Sequence, residues 1–127
     1  MKRIAAALAA FALAASAALA QAQYPNRPVK LIVPYPAGQA TDIAARQLAE
    51  GLSREWGQQV VVENIGGGAA IPGLVTAREA KPDGYTLLMG NVGTQSVNPS
   101  LYPRMTYDPG SAFAPVSLVA WLPLVML

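Results

Sequence analysis

Short apolar runs alternate along this chain with longer segments whose apolar residues recur at helical spacing. Val29–Val33 reads Val-Lys-Leu-Ile-Val between Pro28 and Pro34, a β-branched run that predicts a buried strand. Pro34, Pro36 and Gly38 make residues 34–40 a loop. Over residues 43–56, Ala45, Leu48, Leu52 and Trp56 line one side of a helix, and Arg46, Gln47, Glu50 and Arg54 line the other. Thr41 or Asp42 is placed to cap its start, and Gly57 to end it in a left-handed conformation. Val60, Val61 and Val62 mark a second strand over residues 59–63. A glycine-rich loop, 64–70, leads to a helix that opens at Pro72 and runs to about Ala80. Lys81-Pro82-Asp83-Gly84 predicts a turn, and residues 85–89 a third strand. Residues 90–96 form a further polar loop, Asn98-Pro99 starts a short helical turn, and residues 102–114 read as irregular. Residues 116–120 are a candidate fourth strand, which Pro123 limits.

Strand, helix, strand, helix, strand predicts an α/β fold, a parallel sheet with flanking helices and right-handed crossovers. The loops 34–41, 64–72 and 90–96 all leave carboxyl ends of strands, the edge at which open α/β sheets bind ligands.

The first residues belong to a different pattern. Met1, Lys2 and Arg3 precede an apolar run from Ile4 to Ala15, and small residues follow to Ala18-Leu19-Ala20. A basic start, a short apolar core and an Ala-x-Ala site in that order predict a signal peptide over residues 1–20, with cleavage after Ala20 or Ala22. The run is short for a membrane span. Lys2 and Arg3 leave with it, so the net charge of +2 falls to zero in the mature chain. The remaining basic residues are dispersed, without the stripe that a nucleic-acid surface needs.

The chain has no Cys and no His, which removes thiolate chemistry, disulfides and the commonest general base and metal ligand. Ser53, Ser96 and Ser117 therefore have no His to form the usual triad. Asp42, Glu63 and Asp83 show no paired spacing. No catalytic residue, metal or cofactor is expected.

In the first loop, Gly38 lets backbone approach a ligand, and N–H groups at the helix start point into the same space, a receptor suited to a carboxylate. Tyr35 and Thr41 offer hydroxyl donors, and Asp42 caps the helix or orients the loop. The same residues equally describe a rigid strand-to-helix turn. Asn64-Ile65-Gly66-Gly67-Gly68-Ala69-Ala70 lacks the spacing of a phosphate cradle, and its glycines point first to tight backbone passage. In the third loop Thr94, Gln95 and Ser96 can hydrogen-bond a carboxylate without a counter-charge.

Several motifs occur together in order. Tyr24-Pro25-Asn26-Arg27-Pro28, the strand, and Pro34-Tyr35-Pro36-Ala37-Gly38 are followed by Thr41-Asp42, Val61-Val62-Glu63-Asn64 and residues 81–88. Asn98-Pro99-Ser100-Leu101-Tyr102, Tyr107-Asp108-Pro109 and residues 113–118 complete the series. The chain resembles the tripartite tricarboxylate transporter substrate-binding receptors, the Bug family, over essentially its whole mature length. The resemblance implies part of the first lobe of a two-lobed periplasmic binding protein of the Venus-flytrap kind. Residues 21–115 would form the first-lobe segment, and 116–127 the start of the crossover to a second lobe. It further implies a small carboxylated solute, delivery to membrane transporter subunits, and no enzymatic activity; a monomer is expected. Ligand contacts map onto Tyr35, Ala37, Gly38, Gln39, Thr41 and Asp42, and onto Gly93, Thr94, Gln95 and Ser96.

Gln39-Ala40 stand where the family often has glycine. After Asn64, the family's usual run with arginine and a later asparagine is replaced by Ile65 to Gly73. Family members are about twice this length or more, so a truncated, nonfunctional fragment of such a receptor is one alternative expectation. An exported α/β enzyme with catalytic residues beyond Leu127 is another.

Overall fold

The computed structural model describes residues 24–102 and 108–121. The expected signal peptide and residues 122–127 lie outside them. Three strands, β1 (Val29–Val33), β2 (Val60–Asn64) and β3 (Thr86–Leu88), form a parallel sheet in the order β2-β1-β3. Helix α1 (Ala40–Trp56) connects β1 to β2, and α2 (Ile71–Glu79) connects β2 to β3. The chain thus steps one way along the sheet and then back past β1. Two crossovers of one hand that run in opposite directions must place their helices on opposite faces.

β1, in the middle, is buried except at Lys30. Val29, Leu31 and Val33 pack against Ala45 and Ala49 of α1 and against Val60. Leu48, Leu52 and Trp56 close around that core, as the helical spacing predicts. Ile32 points to the other face, and Leu74 of α2 is fully buried. Lys30, exposed on the same face as Ile32, pairs with Glu63 at 2.6 Å.

The amino edge is fastened by the Tyr24-Pro25-Asn26-Arg27 segment. Tyr24 Oη donates to Gly84 O (2.7 Å), Tyr85 Oη to Asn26 Oδ1 (2.9 Å), and Arg27 pairs with Asp83 (2.9 Å) while lying 3.9 Å over the Tyr85 ring. Tyr24 also meets Trp56 and Tyr85 edge to face, the geometry that ring quadrupoles favour.

Several boundaries differ from expectation. Helix α1 starts at Ala40, not Ile43; its cap is Gln39, without a side-chain bond, so neither Thr41 nor Asp42 caps it. Asp42 instead lies inside the first turn and reaches backwards. Gly57 does end α1 at φ 63°. Residues 93–97 are not loop but a π-helical turn that continues into a short helix, α3 (Asn98–Leu101). Asp108 caps a further turn, α4 (Pro109–Ala112), within the segment expected to be irregular. Residues 116–120 are not a strand. A strand needs a neighbour for its ladder; among the described residues none pairs with this segment, and Val116 and Leu118 are exposed.

Before α2 the backbone is strained. Ala69 and Ala70 hold φ of 57° and 68°, where a Cβ crowds the following carbonyl. Just beyond, a Cβ on Gly73 would lie 2.7 Å from Ile65 O and 2.8 Å from Pro34 Cβ, so α2 packs there only because glycine has none. Gly73→Ala is expected to destabilise the chain by about 1–3 kcal/mol, the usual cost of overpacking. Ala70→Gly is expected to stabilise it by about 1 kcal/mol through relief of the left-handed strain. Urea denaturation of the two variants checks both signs.

Candidate functional site

The first and third loops leave β1 and β3, neighbours between which the connections change direction. In open α/β sheets the carboxyl side of such a switch point is where ligands settle. The second loop leaves β2, on the far side of β1, outside that crevice.

In the first loop, Asp42 is 2% exposed and collects three donors. Gly38 N–H donates to Oδ2 at 2.8 Å, Arg46 Nε to Oδ2 at 3.0 Å, and Asn64 Nδ2 to Oδ1 at 2.9 Å. Asn64 Nδ2 also reaches Tyr35 O (3.1 Å), and Arg46 Nη2 reaches Asn64 Oδ1 (3.0 Å). The helix start, the turn at Gly38 and the end of β2 are thereby one unit. The Arg46 bond first, then those from Gly38 and Asn64, hold the Asp42 carboxyl down to about 2 from its ordinary 3.8. The carboxylate faces inward with its charge compensated, while Ala37, Gly38 and Gln39 are exposed and Thr41 half-buried beside it.

The third loop is organised by Asn91. Its Oδ1 accepts from Tyr35 Oη (2.8 Å) and from Thr94 N–H (3.1 Å). Asn91 N–H donates to Thr94 Oγ1, and Thr94 Oγ1 donates to Asn91 O, both at 3.0 Å. Gln95 N–H donates to the same carbonyl at 3.0 Å. The Tyr35–Asn91 bond joins the two loops across the switch point. The single hydroxyl protons of Tyr35 and Thr94 are committed inside the protein, and Thr94 is fully buried, so neither hydroxyl is a free donor. Gly93 and Gln95 are half-buried and Ser96 is exposed.

The second loop braces the other two. A Cβ on Gly66 would lie 2.9 Å from Pro36 N, which is the tight passage its glycines predict. Asn98, 8% exposed, donates from Nδ2 to Ala69 O at 2.6 Å rather than capping its own turn. Asn64, Asn91 and Arg46 are the polar residues to which sequence reasoning gave no part in organising the loops. Asn91, an amide directly after a strand and among glycines, carried the one legible signal.

A pocket of about 410 Å³ opens at the amino edge, lined by Tyr24, Pro25, Asn26, Glu55, Trp56 and Gln58. Its rings are engaged in the edge-to-face packing already described, and it is remote from the strand ends that the fold makes receptive. Among the described residues no group of three acidic, His or Cys side chains could hold a metal ion, and no helix is long and apolar enough to cross a membrane.

The depressed Asp42 carboxyl sets an acid limb. The folded chain binds that proton less readily than the unfolded chain, so the stabilisation is complete above the unfolded value of 3.8 and is lost as pH falls towards about 2. Asp83, also lowered, chiefly by the Tyr85 N–H, adds to the same limb. Stability measured by denaturation between about pH 6 and pH 2 is expected to fall over that window. Asp42→Asn is expected to be less stable at neutral pH and to show a shallower acid limb.

Comparisons with known proteins agree with this architecture. Residues 44–127 match the family model described as tripartite tricarboxylate transporter family receptor. Protein BugT of Bordetella pertussis is 40% identical over 105 residues, covering 82% of this chain and 32% of BugT. Among solved structures, the periplasmic binding protein BugD is 42% identical with a TM-score of 0.65, over 72% of this chain and 30% of that one. MatC from Rhodopseudomonas palustris, with bound malate, is 33% identical with a TM-score of 0.72, over 76% and 33%. The chain spans about a third of the length of the curated relatives it matches. The described fold is accordingly a partial lobe of a periplasmic binding protein, and the chain belongs to the tripartite tricarboxylate transporter receptor family.

Proposed function

We propose that this chain is a solute-binding receptor, exported to the periplasm by residues 1–20, that takes a small carboxylate and presents it to a tripartite tricarboxylate-type transporter. The observation that carries the reading is the 2.8 Å bond from Tyr35 to Asn91. It brings the first and third loops together at the point where, among the described strands, the connections change direction. Exposed backbone at Ala37 and Gln39, beside the start of a 17-residue helix, supplies N–H dipoles suited to an anion, while the Gly38 N–H is spent on Asp42. Asp42 does not oppose that anion, because Arg46 compensates its charge and burial turns it away. The carboxylate bound to MatC, a relative of the same fold, supports the same ligand class. The site is held by dipoles and neutral amides, and binding involves no covalent step.

Calorimetric titration of the full chain with succinate, malate, adipate and citrate tests the reading, with succinamide as a neutral control. At least one acid is expected to bind and to raise the unfolding temperature, and succinamide to do neither. Saturation at about 100 times Kd would add about 2.7 kcal/mol of stability. Binding of none of the acids would refute the reading.

A further inference from the structure

Asn91 is more than a brace between loops. The orientation of its carboxamide is fixed by chemistry, because the Thr94 N–H, 3.1 Å away, can only donate. The atom facing it is therefore the oxygen, and Tyr35 Oη–H donates to that same oxygen at 2.8 Å. Two donors match the two lone pairs of Oδ1. The backbone N–H and C=O of Asn91 are both satisfied, through Thr94 Oγ1 and Gln95 N–H. What is left is Nδ2, which carries two N–H donors and has no partner among the described residues. The residue is half-buried.

On the Oδ1 side the packing is tight enough to want a glycine. A Cβ on Gly93 would stand 3.1 Å from Asn91 Oδ1 and 3.4 Å from Tyr35 Oη. The protons of Tyr35 and Thr94 are already used, so neither of these hydroxyls can serve as donor to a ligand. A carboxylate oxygen is acceptor-only and fits a free carboxamide N–H without a counter-charge.

We infer that Asn91 is a ligand-contacting residue of this receptor, donating from Nδ2 to a carboxylate oxygen of the solute, and that Tyr35 and Thr94 are positioning residues that hold its amide the right way round. This rests on the carboxylate reading above. It assigns to Asn91 the side-chain contact that the sequence motif placed on Tyr35 and Thr94.

Asn91→Asp separates the two roles. It keeps an acceptor for Tyr35 and Thr94 and removes only the donor, replacing it with a charge that repels the solute. In the full chain, the affinity for whichever of succinate, malate, adipate and citrate binds tightest is expected to fall by at least about 10- to 100-fold, with the ligand-free unfolding temperature little changed. A native affinity in Asn91→Asp would overturn the inference and leave the carboxylate reading standing. Absence of binding by the unsubstituted chain would overturn both. Should the variant fail to fold, the side-chain amide resonances of Asn91 in the unsubstituted chain decide. They are expected to shift downfield on saturation with the acid, and unmoved resonances would overturn the inference.

Discussion

Asp42 sits 2% exposed with donors from Gly38, Arg46 and Asn64 converging on its two oxygens. A carboxylate taken out of water is costly unless every lone pair it turns inward finds a partner. Here the partners come from three parts of the chain: the turn after β1, the next turn of α1, and the end of β2. None of these can move without exposing or orphaning the charge. The first loop therefore inherits its shape from a buried ion rather than from its own prolines alone. The same bonds explain why α1 begins three residues before Ile43. With Asp42 bonded back to Gly38, the first turn is closed from within, and Gln39 needs no side-chain bond to start it.

On this foundation the topology selects which loops become neighbours. Order β2-β1-β3 means that β1 has β3 on one side and β2 on the other, and the loops following β1 and β3 diverge to different elements. Crevices form where connections part. The Tyr35–Asn91 bond closes the base of that crevice, and the amino edge is held separately by Tyr24, Arg27 and Tyr85. β1 and β3 are thus fastened together at both ends. The second loop, outside the crevice, acts as a wedge: Gly66 against Pro36 and Gly73 against Pro34 leave no room for slippage between α2 and the first loop.

How much of this could be read in the sequence follows from the range of the forces involved. Val29–Val33 and the Val60-Val61-Val62 run are strands because local β-branched character and burial agree, and both were legible, as was the left-handed stop at Gly57. The helical residues at 93–97 were hidden because glycine and small polar residues read as loop; what winds them is Asn91 bonding forwards to Thr94 and Gln95. Asn64, Asn91 and Asn98 were illegible as a set for another reason. Each satisfies a partner far away, at Asp42 and Tyr35, again at Tyr35, and at Ala69, and nothing in the local pattern announces a long-range amide. The residues 116–120 misled in the opposite sense. Their apolar, β-branched character is that of a strand, but a strand exists only with a neighbour to pair with.

The difference between the two tyrosine-centred clusters bears on function. At the amino edge, Tyr24, Tyr85, Arg27, Asn26 and Asp83 satisfy one another, and stacking adds to the hydrogen bonds. Such a cluster has no reason to admit a ligand, although a pocket lies beside it. At the carboxyl edge the arrangement stops short of closure: the hydroxyls of Tyr35 and Thr94 are engaged, while the Asn91 amide nitrogen has no partner among the described residues. Rigid surroundings that leave one group unmet are what a receptor needs, since the group is already oriented when the solute arrives and little ordering entropy remains to be lost. Because the Asp42 carboxylate is paired with Arg46, on the proposed reading that group would meet an anion with a dipole rather than with a net charge. Attraction of this kind is short in range and depends on direction, so it favours a carboxylate that fits over any anion that merely approaches.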